Sequence, residues 1–405
     1  MSCHGPVPDE EATSLRSLSD DGYRGDLQKC RIGIPQYWAG RGDFLKIFEQ
    51  SVFRLRGILS PAPFACLLIL AGLVPAIAAQ TNSDSEQPIP ILTGNAGFIA
   101  SGAGQERYLT PQVTPVLLLP LGDKWLVEAR AAFEGELGRE EPGDPYRGQV
   151  GKDIDYLQVD YLLNKYATVT AGRFLTPFGI YNERLYPIWI RDLQNAPLIF
   201  PLGTGSSDGV MLRGGFPLNS RISLNYASYF SALSTVNKFE ADRLAGMRAG
   251  FFLPGPRIEA GFSFQKELQE SRTNGFGFHF AWQPLRLPLN LRSEYARTND
   301  GSGYWIEGAY RLNQLPFWQN SMRKTEVVLR TQQFFAAPGI EEEEAEEYGL
   351  FDVDTKQTEF GLNYYLADGL KAAGSFGRRF NSDGDANVWT VGIAYRFAIP
   401  LGPTR

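Results

Sequence analysis

The chain has 405 residues, and its composition excludes two broad classes of protein. A formal net charge of −6 is too small to indicate a nucleic-acid partner. A mean hydropathy of −0.22 excludes a bundle of membrane helices. Aromatic residues make up 13% of the chain and there are 43 glycines, a combination that favours strands and tight turns over helices.

Residues 52–79 have the layout of a secretory signal peptide. Two arginines form a basic start, the apolar run FACLLILAGLV follows, and PAIAAQ offers small residues for cleavage after Ala78 or Ala79. A membrane anchor is disfavoured, because prolines interrupt the run and it is shorter than the roughly 20 residues that a spanning helix needs. All three cysteines precede the cleavage site, which suits export to an oxidising compartment.

A signal peptide normally begins a chain, but residues 1–51 precede this one. We expect residues 1–51 to be a wrongly assigned N-terminal extension, with Val52 as the true initiator, read from a GTG codon. The mature domain is then expected over residues 80–405, with its strands at about 91–397.

Beyond residue 90, apolar and polar side chains alternate in segment after segment. In VWTVGIAYRF (388–397), for example, the odd positions are apolar or aromatic and the even positions are small or polar. PRIEAGFSFQ (256–265) and GFGFHFAWQ (275–283) alternate in the same way. A period of two predicts strands with one apolar face and one polar face.

About sixteen such segments follow each other, and most are longer than the five or six residues usual in globular sheets. Their length suits a tilted strand that crosses a bilayer. The expected strands are 91–102, 110–120, 125–137, 152–163, 166–176, 208–216, 221–231, 242–253, 257–266, 274–283, 287–297, 303–313, 324–335, 355–366, 369–380 and 387–397.

The connections alternate in length. Every second one is tight, such as LGDK at 121 or ADG at 367, and most of the others are long and polar. Residues 314–323 are an exception, being somewhat long for a tight turn. Short periplasmic turns and long extracellular loops are typical of transmembrane β-barrels. We therefore predict an all-β fold, an antiparallel transmembrane barrel of about 16 strands.

The polar strand faces carry many charged residues, and burying these unpaired would be very costly. A soluble sandwich could place them outside, but it would not explain the signal peptide and the loop asymmetry. We therefore expect the apolar face to meet lipid and the charged face to line a water-filled lumen. The expected wall residues are Arg130, Arg213, Arg248, Arg292, Arg311, Arg330, Glu128, Glu259, Glu294 and Glu307.

On these features the chain resembles bacterial outer-membrane porins. The final strand carries alternating aromatics and ends at Phe397, like the C-terminal assembly signal of outer-membrane proteins, although AIPLGPTR follows it. AGRFLTPFGIYNERL (171–185) resembles a segment of the phosphate-selective porin group. The resemblance covers about residues 90–397 and implies a location in the bacterial outer membrane and a homotrimer.

The connection 177–206 is the third on the long side, and in porins the third loop folds inward and narrows the channel. The resemblance thus implies a pore constriction, although this segment could instead lie over the mouth or pack against a neighbouring subunit. The candidate constriction residues are Arg173, Glu183, Arg184, Arg191 and Asp192.

Two further features allow other functions. The acidic run 341–347 is expected to be a solvated loop, the alternative being a rim that attracts divalent cations. His279 is the one histidine after the signal peptide, so few residues could form the catalytic site of a barrel enzyme. We therefore expect His279 to be an ordinary polar residue of the wall. We expect no enzyme activity, no cofactor and no metal site.

The predicted function is passive diffusion of small hydrophilic solutes and ions through a water-filled channel, because a barrel of this size leaves an aqueous pore. The polar strand faces also carry three further basic residues and five further acidic ones, which are Lys371, Arg379, Arg396, Glu134, Glu136, Asp160, Glu326 and Glu359. With these included, nine basic residues balance nine acidic ones, which gives no strong ion preference. The alternative is an anion- or phosphate-selective channel, which would want an excess of Arg and Lys. The expected partners are outer-membrane lipid and the solutes themselves, with no nucleic acid.

Overall fold

Each alternating segment forms a strand that pairs with its neighbours in the sequence. The computed structural model describes residues 89–139, 143–203, 205–233, 243–269, 272–339, 345, 349–382 and 384–402. Within these residues, sixteen antiparallel strands form one closed barrel, in which the first strand pairs with both the second and the last. The strands are β1 (Ile91–Ala103), β2 (Glu106–Leu121), β3 (Trp125–Arg139), β4 (Arg147–Asn164), β5 (Ala167–Leu175), β6 (Ser206–Asn219), β7 (Ile222–Leu233), β8 (Leu244–Leu253), β9 (Ile258–Glu267), β10 (Asn274–Trp282), β11 (Leu289–Arg297), β12 (Gly301–Arg311), β13 (Thr325–Ala336), β14 (Thr355–Ala367), β15 (Leu370–Phe380) and β16 (Ala386–Pro400).

This topology confirms the predicted sixteen-stranded antiparallel β-barrel. The largest differences lie at the loop ends of two strands: β2 begins at Glu106 instead of 110, and β4 begins at Arg147 instead of 152. Both added stretches are polar and carry little hydrophobic alternation, so the apolar pattern did not reveal them. The predicted extension 1–51, the signal peptide 52–79 and the acidic residues of the run 341–347 lie outside the described residues.

A bulge in β4 changes which side chains of this strand face inward. The register of β4 against β3 shifts between Arg130 and Ala131. As a result Ile154 and Leu157, which are three positions apart, both lie exposed on the outer face. Asp155 faces inward, and its Oδ2 lies 2.9 Å from Arg130 Nε. A bulge adds one residue to a strand and so resets the alternation beyond it.

The barrel carries apolar side chains on its outside and charged side chains on its inside, which is the reverse of a soluble protein. Apolar side chains are exposed on its outer face, with Phe278 at 57% and Val391 at 59% relative exposure. Charged side chains are buried on the inner face, where Arg330, Glu307 and Lys371 are each 1% exposed. An apolar outer band and a polar interior are the features of transmembrane β-barrels.

The connections differ in length between the two ends of the barrel. At one end, called the turn side, residues 122–124, 165–166, 220–221, 254–257 and 368–369 are tight turns, and residues 283–288 are slightly longer. At the other end, called the loop side, residues 176–205 and 337–354 form the longest connections. The exceptional connection, predicted at 314–323, spans residues 312–324 and contains two short helical segments, Leu312–Gln314 and Gln319–Met322. Among the described residues, no helix is both long and apolar enough to cross a membrane.

The length difference predicts which end of the barrel faces the cell exterior. A single cysteine at Asp144 or Asn299, on the loop side, should react with a membrane-impermeant maleimide on intact cells, because long loops lie outside. Cysteines at Asp123 and Asp368, on the turn side, should react only after the outer membrane is permeabilised. Residues 80–405 contain no native cysteine that would obscure the result. Labelling of the turn-side positions on intact cells would reverse the orientation.

Candidate functional site

The connection between β5 and β6, residues 176–205, lies inside the barrel and is called the inner loop below. Most of its apolar side chains are almost fully buried, with Phe178, Ile188 and Leu198 each 1% exposed, whereas Ile190 is exposed. It contains one short π-helix, Tyr181–Leu185, and four prolines that limit longer regular structure. The inner loop is therefore held mainly by contacts with side chains that project inward from the strands.

The first part of the inner loop is attached to β9 and β11 through its backbone. Gly179 N donates to Ser263 Oγ at 3.0 Å, and Ile180 N and Tyr181 N both donate to Glu294 Oε2, at 3.0 and 3.2 Å. Gly179 has a φ of +65°, and a Cβ at this position would stand 1.9 Å from Glu294 Oε1. Only glycine fits both the conformation and the close approach.

Ion pairs connect the following residues of the inner loop to β8 and β9. Glu183 forms a salt bridge with Arg248, and Arg184 Nη1 lies 2.8 Å from Glu259 Oε2. His279 on β10 approaches the same carboxylate, with Nε2 3.6 Å from Glu259 Oε1. The side chain of Arg184 keeps 37% exposure, whereas that of His279 is fully buried. Arg184 is thus the member of this group that faces open space.

A continuous chain of charges holds the middle of the inner loop to β11, β12 and β13. Asp192 pairs with Arg292, which also lies 2.5 Å from Glu307, and Glu307 lies 2.5 Å from Arg330. Arg330 Nη1 then donates to Asn195 O at 2.7 Å, returning to the inner loop. Burial raises the pKa of Asp192 to about 7, although the Arg292 guanidinium opposes this shift. The nearby carboxylates of Glu307 and Glu326 raise the pKa of Asp192 further.

The same segment also contacts β15 and β1. Lys371 Nζ on β15 donates to Trp189 O at 2.9 Å and to Arg191 O at 2.6 Å. Ile188 packs so close to β1 that a Cβ on Gly97 would stand 2.5 Å from Ile188 Cδ1. The inner loop thus extends across the lumen from β8 to β1, and its contacts concentrate on the inner faces of β8–β16 and β1.

The inner face of β3–β6 is less covered. Glu128 and Glu136 on β3 stay partly exposed, and Arg213 on β6 keeps 36% exposure while its Nη2 lies 2.7 Å from Asp160 Oδ2.

A separate cavity of roughly 200 Å³ lies between the inner loop and the wall formed by β1–β3, β14 and β15. Its polar and charged lining residues are Ser101, Thr110, Gln112, Glu134, Tyr186, Arg191, Gln194, Asn195, Gln357 and Arg379.

Four of the five candidate constriction residues lie on the inner loop, and Arg173 does not. Arg173 belongs to β5, where Thr170 and Phe174 face inward with 0% exposure, so strand alternation places Arg173 on the outer face. Its Nη1 lies 3.5 Å from Oδ2 of Asp208, which is also on the outer face of the barrel. We therefore remove Arg173 from the constriction. The sequence motif that contains it spans the end of the strand and the start of the loop.

The ten expected wall residues all occupy inward-facing strand positions. These are Glu128, Arg130, Arg213, Arg248, Glu259, Arg292, Glu294, Glu307, Arg311 and Arg330.

Sequence reasoning missed the uncharged groups that also hold the inner loop. Ser263 accepts from Gly179 N, Gln332 accepts from Leu198 N at 3.1 Å, and Asn363 Nδ2 donates to Asp192 O at 2.9 Å. In the sequence, the one signal for these three residues is their position on the polar face of a strand.

Comparison with known proteins shows a likeness of fold alone. No family model matches the chain, and no curated protein matches it. The solved structure of Pseudomonas putida OprB at high pH matches with a TM-score of 0.52 and 11% identity, over 76% of this chain and 94% of that one. An anion-selective porin from Comamonas acidovorans matches with a TM-score of 0.49 and 13% identity, over 76% and 99% of the two chains. A mutant of the Rh. blastica porin matches with a TM-score of 0.47 and 12% identity, over 76% and 100%.

Replacing Glu294 with alanine should release the start of the inner loop. The change leaves the amides of Ile180 and Tyr181 without their acceptor, at a cost of about 1–3 kcal/mol for each group that stays buried. Limited trypsin digestion of the folded barrel should then cleave faster after Arg184. The matched control is Glu136→Ala, which removes an inward-facing carboxylate with no described contact to the inner loop. Equal protection of both variants would contradict the role of Glu294.

Proposed function

We propose that this chain forms a water-filled channel in the bacterial outer membrane, through which small hydrophilic solutes and ions diffuse passively. The observation that carries the proposal is the arrangement of the lumen. A closed barrel with an apolar outer face holds a loop across one part of its interior and leaves partly exposed charged side chains along the rest. A barrel of this size is wide enough to hold water, because sixteen-stranded barrels leave an aqueous channel.

The water path is proposed to run beside β3–β6. The partly exposed residues Glu128, Glu136 and Arg213 lie on this wall, and Arg184 is the partly exposed charge of the inner loop that pairs with β9. The inner loop narrows the cross-section and brings these charges close to a passing solute. Fields in such a confined passage are focused by the surrounding low-dielectric walls.

An anion- or phosphate-selective channel is the alternative, and the contacts of the basic residues favour it less. Arg248, Arg292, Arg330 and Lys371 all bind the inner loop, and each is at most 8% exposed. They therefore do not form a row of free cationic groups along the path. An anion-specific channel would need such groups to replace the hydration of the solute.

An enzyme is disfavoured by the position of His279. Its side chain is fully buried on the inner face beside Glu259, so a substrate in the lumen could not reach it with the inner loop in place. His279→Ala should leave ion conduction intact. Loss of a hydrolytic activity of the purified barrel in this variant would favour an outer-membrane enzyme instead.

The homotrimer implied by the resemblance stays a prediction, which chemical cross-linking in the membrane can test.

Planar-bilayer recordings in a KCl gradient test the proposal and its alternative together. The wild-type protein should give open channels with weak ion preference. Glu128→Gln combined with Glu136→Gln should move the reversal potential towards anion preference, and Arg184→Gln should move it towards cation preference. The absence of any conductance would contradict the channel, and a strong anion preference of the wild type would favour the alternative.

The matched control for these variants is Asp123→Asn, which removes one exposed charge from a turn-side rim. Its effect should be smaller, because salt screens exposed charges over about 8 Å at physiological ionic strength. A larger shift for Asp123→Asn than for the lumen variants would contradict a path beside β3–β6.

A further inference from the structure

The cavity between the inner loop and β1–β3, β14 and β15, called the side cavity below, lies towards the loop side of the barrel. Ser101 lines it two residues before the loop-side end of β1, and Arg379 lines it one residue before the loop-side end of β15. The side cavity also borders the proposed water path. Glu134 lines the cavity, and Glu136, the next inward-facing residue of β3, lies on that path. A solute in the proposed channel therefore passes the side cavity.

The side cavity has two chemically different walls. The inner loop contributes apolar side chains from residues 196–201, among which Leu198 and Phe200 are almost fully buried. Phe200 stacks on Tyr186, which also lines the cavity, with 5.6 Å between the ring centroids and 27° between the ring planes. The strands contribute polar side chains instead. A ligand that fits both walls must therefore present both C–H groups and polar groups.

Four polar side chains of the lining have no hydrogen-bond partner in the described part of the protein. They are the hydroxyls of Ser101 and Thr110 and the side-chain amides of Gln112 and Gln194. Gln194 is 5% exposed, and its Oε1 atom is buried without a partner. Buried polar groups in proteins are almost always hydrogen-bonded. A buried amide that faces a cavity without a protein partner therefore indicates a ligand in that cavity.

The charged residues of the lining do not select an ion of either sign. Arg191 donates from Nε and Nη1 to two carbonyl oxygens of the inner loop, at 2.5 and 3.1 Å. Arg379 donates from Nε to Gln357 Oε1 at 2.8 Å. Glu134 places a carboxylate in the same lining. An anion would meet this carboxylate and a cation would meet the two guanidinium groups, so a neutral ligand is favoured.

The four unpartnered side chains also indicate which neutral groups the ligand carries. Hydroxyl and amide side chains both donate and accept hydrogen bonds, whereas a carboxylate only accepts and an ammonium only donates. A ligand hydroxyl both donates and accepts, so a solute with several hydroxyls matches this set. The ring of a sugar or cyclic polyol also carries C–H groups, which can pack on the apolar wall beside Tyr186 and Phe200.

We propose that the side cavity binds a neutral polyhydroxylated solute of the size of one monosaccharide. Its volume of roughly 200 Å³ equals about seven water molecules at about 30 Å³ each, which is room for a single sugar ring. The ligand hydroxyls bond to Gln112 and Gln194, and its ring packs on the inner loop. This deepens the proposed function and rests on it for the route of the solute, which is held at the loop-side entrance before it passes the inner loop.

Saturation-transfer difference NMR titrations of the purified barrel, in a detergent without a sugar headgroup, test this proposal. The neutral probes are D-glucose, D-galactose, D-mannose and myo-inositol, and the charged analogues are D-gluconate and D-glucosamine. At least one neutral probe should bind saturably, and more tightly than either charged analogue. Gln112→Leu with Gln194→Leu should raise the Kd of that probe about tenfold, because hydrogen bonds to the ligand are lost while side-chain volume is nearly kept.

A second variant and a matched control accompany this test. If the double leucine variant fails to fold, as judged by heat-dependent gel mobility, then Ser101→Ala with Thr110→Val carries the same test. The control is Gln283→Leu with Gln314→Leu, which removes two glutamine amides at the turn side, outside the side cavity. This control should keep the wild-type affinity.

Saturable binding of none of the four neutral probes would overturn the proposal, since the side cavity would then hold ordered water only. Tighter binding of D-gluconate or D-glucosamine, or an equal loss of affinity in the control, would also overturn it. Binding in detergent does not depend on conduction. A barrel that conducts ions but binds no neutral probe would contradict this inference alone, and a barrel that binds a probe but does not conduct would contradict the proposed function alone.

Discussion

Compensation of inward-facing charges is the constraint on which the rest of this structure depends. A lipid-facing exterior forces the charged side chains inward, and there each one needs water or a partner. The Asp192–Arg292–Glu307–Arg330 chain shows how the partner is supplied, since it begins and ends on the inner loop. Breaking a buried pair by removing one member costs about 3–5 kcal/mol, because the other charge stays behind. The wall and the inner loop therefore stabilise each other.

This mutual dependence has a consequence for the proposed channel. Basic residues that would attract anions if they were hydrated are occupied by the inner loop on β8, β11, β13 and β15. In the proposed channel, the ion preference would then depend on the smaller set of charges beside β3–β6 instead of on the composition of the whole lumen. A balanced total charge on the wall is compatible with an unbalanced path, because only the hydrated charges act on a passing solute.

The outer face obeys a second constraint, set by the membrane instead of by the lumen. Its central positions are mostly apolar, as at Phe278 and Val391, so the charged strand positions concentrate on the inner face.

The sequence by itself determined the barrel. Alternation in segments such as 388–397 and 275–283 depends on local geometry alone, since neighbouring side chains of any strand point to opposite faces. The lengths of the connections distinguished the two ends of the barrel, because they too can be read directly from the sequence. Where alternation is interrupted, the sequence was insufficient, because the bulge at Asp155 and the polar start of β2 have no local signature. Arg173 was predicted to lie in a strand, but it was also named as a constriction residue although it is on the outer face of β5.

Only the tertiary structure decided which charges the inner loop covers. Glu128 and Glu294 look alike in the sequence, as carboxylates on polar strand faces, but one stays partly exposed and the other accepts two backbone hydrogen bonds from Ile180 and Tyr181. That difference arises from contacts between residues more than a hundred positions apart. Local alternation predicts which face of a strand a side chain is on. It does not predict what lies opposite that side chain across the lumen, because closure of the sheet and the course of the inner loop bring distant residues together.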